Sequence, residues 1–463
     1  MNTLPPSSPA SAQARTSRRH FLKTSAAALL GAPFVTSGLR AASPNGKLRH
    51  AAFGASGMSY ADISSLSKHP KWELVAVCDV DTSKFDRIKQ EFPNARLYQD
   101  WRELLAKEEG QIDSVNVSVP DHMHGPMILP CIAKGLHVYG QKPLTQNLYE
   151  CRLVTEKARA KGIVTQMGIQ VSSSFTERMA VQMIQDGAIG KVKEVHTFSN
   201  KKWGDMAPVP ENADPVPDAF AWDKWLGVAA DRPFIKGYYH PGNWRKRRDF
   251  GTGTLGDMGC HMFSGWYRAL NLTMPLSVTS TGTPPPNATN WAIDGKVEYL
   301  YPGTDFTADK TVKVTWYDGD QMPPTEVQQA IEGKWPGQGS IYIGTDGVLL
   351  SAHGSTPTLH AKEKFKGYKY PRLEPRDHWG EFVDCALAGG GKKPSANFDY
   401  SGPMTEAVLL GCLASIFPNK TLEWDAPTQT FKNSPEATAF VKRSYRAGWE
   451  LRRRAGLERE SIC

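Results

Sequence analysis

Cysteine is sparse in this sequence and never arranged. Its seven cysteines (78, 131, 151, 260, 385, 412 and 463) stand far apart, with no C-x-x-C pair and no Cys/His spacing of the kind a zinc site uses. Neither a disulfide framework nor a metal centre is expected. Beyond the first 43 residues, no apolar run is long enough to span a membrane. No internal repeat is visible. With 40% hydrophobic and 22% charged residues, the 463-residue chain falls outside the disordered and fibrous classes and is long enough for two domains.

A basic patch is also missing. The formal charge is +8, but residues 1–42 hold five bases (Arg15, Arg18, Arg19, Lys23, Arg40) and no acid; eight minus five leaves +3. That modest excess gives poor electrostatic footing for phosphates, so nucleic-acid binding is not expected. The arginines at 452–454 sit among glutamates and read as a solvated terminal helix. The stretch TSRRHFLKTSAAALLGAPFVTSGLRAAS, residues 16–43, stands apart: Arg18 and Arg19, then Phe21, Leu22 and Lys23, then a weakly apolar run of small residues. It reads as a twin-arginine export signal cleaved near Ala41 or Ala42. A signal over 1–42, a periplasmic or otherwise extracytoplasmic destination, and no integral membrane segment in the mature chain are the expectations.

From Lys47, strand and helix patterns alternate. RHAAFGASG, WELVAVCDVD, DSVNVSVPDH, HVYGQKP and IVTQMGIQV read as strands, with helical spacing between them. Such alternation predicts a doubly wound parallel sheet, a Rossmann domain over 43–170. Beyond Gln170 come a helix, a Pro- and aromatic-rich loop to about Phe250, a Gly-rich turn into a helix, hairpin-like strands, and two more helices. Residues 171–463 are therefore expected to form an α+β domain with a large, open, mostly antiparallel sheet.

The turn GASGMS lies between strand and helix, where a dinucleotide fold places its phosphate loop. Against G-x-G-x-x-G, Gly54 fits the first position, while Ser56 and Ser59 replace the second and third glycines. Gly54, Ser56, Gly57 and Met58 are the candidate loop residues. Asp79 ends the second strand, where a carboxylate binds both ribose hydroxyls and repels a 2′-phosphate, favouring NAD over NADP. VNVSVPDHMHGP brings Pro120, Asp121, His122 and His124 to the same sheet edge. With no third ligand near the His-x-His pair, lining a cleft is preferred to holding a metal. In HVYGQKPLTQ, proline forces its predecessor towards extended geometry, so Lys142 is expected at a strand end.

These residues carry a resemblance. VPDHMHGPMILPCIAKGLHVYGQKPLT resembles the segment that marks the Gfo/Idh/MocA oxidoreductases, relatives of glucose-fructose oxidoreductase and inositol dehydrogenase, in which E-K-P supplies a lysine beside the nicotinamide. TQMGIQ, AIGKVKEVH, WDKWLG, YHPGNWR, DFGTGTLGDMGCHM, NFDYSGPMTEAVLLG and LEWD fit the exported branch and extend the resemblance over essentially the whole mature chain. It implies NAD as cofactor, Lys142, Asp257 and His261 as the catalytic set, and Gln141, Gln170, Trp244 and Arg245 near nicotinamide and substrate. It also implies a homo-oligomer, dimer or tetramer, packed through the open sheet. There are departures: Gln141 stands where the family has glutamate, and Ser56 and Ser59 stand where it has glycines.

Asp257 and His261 are four apart and share one helix face. Two readings of the aspartate stand side by side on the residues alone. Thr254-Leu255-Gly256-Asp257 fits a capping box. Gly256 and Gly259, at a cost of about 1 kcal/mol each in a helix, suggest instead a close approach to the backbone. The resemblance favours the functional reading, with His261 as general acid/base, Lys142 stabilising alkoxide and Asp257 positioning. Tyr238, Tyr239, Trp203 and Trp222 are expected to pack; Trp244 and Arg245 are preferred as site residues.

An exported NAD enzyme meets little free cofactor, so loading before folded export and retention afterwards are expected. Three functions follow. The first is an NAD-dependent oxidoreductase acting on a secondary hydroxyl of a sugar, polyol or glycoside. The second is a redox-assisted glycoside hydrolase or lyase that oxidises, eliminates and re-reduces. The third is a non-catalytic carbohydrate-binding protein of the same fold.

Overall fold

The computed structural model describes residues 46–282, 284–389 and 391–451. The segment read as an export signal and the arginines at 452–454 lie outside the described residues. The first sheet joins β1 (Leu48–Phe53), β2 (Trp72–Cys78), β3 (Arg96–Tyr98), β4 (Ser114–Val117), β5 (His137–Gly140) and β6 (Thr165–Met167). All its pairs are parallel, in the order β3-β2-β1-β4-β5-β6. Strand order reverses between β1 and β4, which opens a crevice at their carboxyl ends. Both faces are buried, as parallel sheets require. Ala51 and Phe53 belong to the apolar core on one side and Ala52 to the core on the other. Strand β3 is the element the sequence does not announce: three residues, none fully buried, too short to show a period.

Helices α1 (Gly57–Leu66), α2 (His124–Ala133) and α3 (Leu148–Lys161) connect these strands, and α4 (Phe175–Gln185) leads out of the domain. Asn147 starts α3 by accepting the Glu150 N–H at 3.0 Å.

The second sheet holds β7 (Val192–Ser199), β8 (Ser277–Ser280), β9 (Lys296–Pro302), β10 (Thr311–Asp318), β11 (Gln338–Gly344), β12 (Val348–Ala352), β13 (Thr358–His360), β14 (Thr421–Asp425) and β15 (Thr430–Phe431). Its order is β13-β12-β11-β7-β10-β9-β8-β14-β15. Neighbours are antiparallel except β7 and β10, which run parallel. Helix α5 (Gly253–Ala269) packs on this sheet, with Phe263 and Trp266 against Tyr299, Tyr301 and Trp316. Every residue of α5 except Arg268 is buried. A helix enclosed on all sides must find partners for its polar side chains. Asp257 and His261 are two of them.

Helices α6 (His378–Leu387) and α7 (Phe398–Ala414) lie in sequence between β13 and β14 of the second sheet but do not stay with it alone. Helix α6 packs on α1 and β1, and α7 lies against α3 and β6 as well as β8 and β9. Among the described residues, no helix is long and apolar enough to cross a membrane. The six described cysteines are buried and unpaired.

Candidate active site

At the end of β1 the chain turns through Gly54 at φ +105°, where a Cβ would lie 2.7 Å from the Ser118 carbonyl oxygen. Only glycine fits there. Ser56, Gly57 and Met58 are exposed at the start of α1, whose first N–H groups have no side-chain cap. Ser59, in place of the third glycine, turns inward, and its hydroxyl donates to the Gly54 carbonyl at 2.7 Å. The substitution thus staples the loop rather than blocking it. Asp79 accepts N–H groups of Ala55 (2.8 Å) and Asp81 (2.9 Å), one on each oxygen. Each oxygen keeps a lone pair for a ribose hydroxyl. Glycine turn, open helix N-terminus and strand-end carboxylate all fit NAD; residues 54–58 would hold its diphosphate and Asp79 its ribose.

The catalytic candidates gather where the carboxyl end of the first sheet meets the second sheet, around a cavity of about 570 Å³. Lys142 sits two residues beyond β5 and donates to Asp257 twice, to Oδ1 at 2.7 Å and to the backbone carbonyl at 2.8 Å. Arg245 donates through Nε to the same Oδ1 at 3.2 Å, and Lys201 Nζ lies 3.8 Å from Oδ2. Burial alone would raise the Asp257 pKa. Lys142, Arg245 and Lys201 outweigh it and hold the carboxyl well below the usual carboxylate range. One turn on, His261 lines the cavity with its ring 5.8 Å from that of His353, and its Nδ1 has no hydrogen-bond partner. Burial, reinforced by Lys142, His353 and Lys201 and opposed by Asp257, holds His261 well below the ordinary histidine value, so the ring is neutral. Gln170 also lines the cavity, and its Oε1 is buried without a donor.

Several expectations are corrected here. Asp257 is not a helix cap: α5 begins at Gly253, Thr254 Oγ1 accepts the Trp203 N–H at 2.8 Å, and the carboxylate faces the cations. The close approach expected at Gly256 and Gly259 is found, and it is made by protein: a Cβ would meet Thr252 at the first and Leu255 and Val408 at the second. His122 and His124 do not line the cleft. His122 Nε2 pairs with the Trp225 carbonyl (3.0 Å), and His124 lies between the carbonyls of Pro143 (2.7 Å) and Val119 (2.8 Å). Burial pushes them down to about 3 and about 4, so both are neutral. Through Pro143, His124 ties the lysine turn to the end of β4. Pro120, just before the short 3-10 turn Asp121–Met123, remains half-buried at that strand end.

Gln141 also turns away from the cavity. Its Nε2 donates to Asp62 Oδ2 at 2.9 Å, and its Oε1 accepts the Lys142 N–H at 3.2 Å. Asp62 is fully buried on α1 and accepts further from Ser118 Oγ (2.8 Å) and Trp379 Nε1 (3.1 Å). Asn116 Nδ2 bonds both Ser118 Oγ (2.9 Å) and Ser59 Oγ (3.2 Å). One buried network therefore joins the phosphate loop, the lysine turn and α6.

Trp244 is buried in an aromatic cluster with Trp225, Tyr239 and Phe250, and its Nε1 donates to the Pro241 carbonyl at 3.1 Å. It backs Arg245, whose guanidinium carbon lies 4.3 Å from its ring. Trp203, expected merely to pack, is the tryptophan in the cavity wall. Lys201 and His353 also line the cavity and were not anticipated. Each lies within two residues of the end of a strand of the second sheet and belongs to no local motif; a polar residue just past a strand end is the only signal.

A parallel dinucleotide sheet, a mostly antiparallel partner sheet and a lysine, aspartate and histidine gathered at one cavity make the architecture of a Rossmann-type oxidoreductase. Residues 48–169 match the model of the Gfo/Idh/MocA oxidoreductases, an oxidoreductase family with an NAD-binding Rossmann fold. The chain is 25% identical over 205 residues to a glycosyl hydrolase family 109 protein of Shewanella putrefaciens, covering 38% of this chain and 44% of that one. It is 28% identical over 146 residues to scyllo-inositol 2-dehydrogenase (NAD(+)) of Bacillus subtilis, covering 31% and 42%. The match spans less than half the length of these curated relatives. The WlbA dehydrogenase of Bordetella pertussis, solved with NADH and UDP-GlcNAcA, shares the fold at a TM-score of 0.57 and 14% identity, over 82% of this chain and 99% of that one.

Proposed function

We propose that this protein is an NAD-dependent oxidoreductase acting on a secondary hydroxyl of a sugar, polyol or glycoside. Its support is the clamped lysine: Lys142 Nζ lies 2.7 Å from Asp257 Oδ1, one helical turn before neutral His261, at one cavity. Bound NAD would supply the hydride acceptor, taking up two electrons as the carbinol becomes a carbonyl. Lys142 spends two N–H bonds on Asp257 and has a third for the substrate oxygen, where it stabilises alkoxide charge as the hydroxyl proton leaves. His261, uncharged, has a ring-nitrogen lone pair to take that proton. Asp257 fixes the lysine and balances its charge.

A second reading is redox-assisted glycoside cleavage, which shares this first step and then eliminates and re-reduces. It is favoured by the likeness to a glycosyl hydrolase family 109 protein. The intact lysine, aspartate and histidine speak against a purely binding role. Folded export by the twin-arginine route to the periplasm, a retained cofactor, and a homo-oligomer packed through the second sheet belong to the same proposal, on the strength of residues 16–43 and the open sheet. Denaturing the purified mature protein and weighing the released nucleotide tests it: stoichiometric NAD supports a resident cofactor. A panel of glycosides, followed for reduced nicotinamide and for cleavage products, separates the two reactions. Lys142→Met with full activity would end the mechanism.

A further inference from the structure

The cavity carries more positive charge than alkoxide stabilisation uses. Lys142, Lys201 and Arg245 line it, and Asp257 is the only acid among its described lining residues. That carboxylate is already committed to Lys142 and Arg245, while His261 and His353 are both held below the ordinary histidine value. One acid against three cations leaves a formal excess of two positive charges. The dinucleotide's phosphates do not account for it, because Gly54, Ser56, Gly57, Met58 and Asp79 do not line this cavity.

The spare donors are also shaped. Arg245 spends Nε on Asp257, and its guanidinium lies 4.3 Å from the Trp244 ring and 5.5 Å from the Trp203 ring. Aromatic rings hold the planar fork in place, and among the described residues nothing accepts from its two terminal nitrogens. A pre-set guanidinium fork matches a carboxylate in two-point geometry. Lys201 Nζ, 3.8 Å from Asp257 Oδ2, lies beyond hydrogen-bond distance and keeps its donors for a ligand. Trp203 offers an apolar wall beside both.

We propose that the substrate is an acidic sugar of the uronic-acid type, its carboxylate received by Arg245 and Lys201 while Lys142 and His261 meet the hydroxyl that is oxidised. This rests on the oxidoreductase reading. The carboxylate is not consumed; it orients the ring and sets specificity.

The test is calorimetric titration of the NAD-loaded protein with D-glucuronate and D-galacturonate, each beside its neutral parent sugar, with reduced nicotinamide recorded separately. At least one acid should bind ten-fold or more tightly than its parent, and the advantage should shrink as salt is raised. Lys201→Gln, checked for an unchanged melting temperature, should bring that ratio close to one. Arg245→Lys, which keeps the charge but removes the fork, should reduce it as well. Neutral sugars binding as tightly as the acids, no binding of any of the four, or a Lys201→Gln protein that keeps the full ratio would overturn the acidic-sugar assignment. Selective acid binding with no reduced nicotinamide would uphold the carboxylate subsite and overturn the oxidoreductase reading instead.

Discussion

Gln141 and Lys142 are neighbours at one strand end, yet they reach two different buried aspartates, and those carboxylates are driven in opposite directions. Asp62 receives only neutral donors, from Gln141, Ser118 and Trp379. Burial prevails there and pushes its pKa up to about 6. Asp257 receives Lys142 and Arg245, with Lys201 close by, and is held well below the carboxylate range despite its burial. The charge of the donors, not burial alone, decides which way each carboxyl is driven. Asp62 is a fastening; Asp257 is part of a charged site.

The comparison can be broken from either side. Lys142→Met makes the charged side resemble the neutral one, and turnover should fall by about 10²–10³ or more, the usual cost of losing an oxyanion donor. Rates on the best glycoside found would check this, and a loss below ten-fold would contradict it. Gln141→Glu does the reverse, setting a second carboxylate where the amide now lies 2.9 Å from Asp62. An unpaired buried charge should cost on the order of 3 kcal/mol in urea unfolding. Adding Asp62→Asn should restore most of it; a double variant no more stable than the single one would show that the two groups do not interact.

The pH dependence sharpens the contrast. The Asp62 pKa rises from 3.8 to about 6 on folding, so its stabilisation is full below pH 3.8 and is lost as pH rises through about 6. A shift of that size corresponds to roughly 3 kcal/mol between acid and neutral pH. Asp121, Glu177 and Asp318, pushed up to about 7, add in the same direction. Asp62→Asn should therefore flatten the decline without abolishing it; parallel curves for variant and parent would refute the assignment. On the charged side, neutral His261 should place the acid limb of kcat/KM below the ordinary histidine range, and a limb at 6.5 or above would contradict that. The smallest effect belongs to Ser59→Gly. Restoring the fingerprint glycine removes the bond to the Gly54 carbonyl and the one received from Asn116, costs about 1–2 kcal/mol, and should leave NAD affinity nearly unchanged on titration.

Much of this was legible in the sequence where function depends on local spacing. The five strands read from alternation are present, and Lys142 at a strand end and the Asp257/His261 pair one turn apart are found together at one cavity. What stayed hidden depends on which way a side chain faces or on what a distant strand delivers. His122 and His124 lie at the expected sheet edge but point into protein, and spacing does not record that. The sequence reading prefers Trp244 to Trp203; the aromatic cluster behind the loop takes the first and leaves the second to the cavity. Lys201 and His353 arrive at the same cavity only because β7 and β12 belong to the same sheet, whose order places β11 between them.

Trp379 gives the molecule a hereditary constraint. It comes from α6, more than two hundred residues beyond the end of β6, yet its indole N–H is one of the donors to Asp62 in the first domain. A chimera that took residues 43–170 from this chain and the remainder from a relative without that tryptophan would inherit a buried carboxylate short of a donor. Recombination at the apparent domain border is therefore penalised, and the two halves are expected to have diverged as a pair.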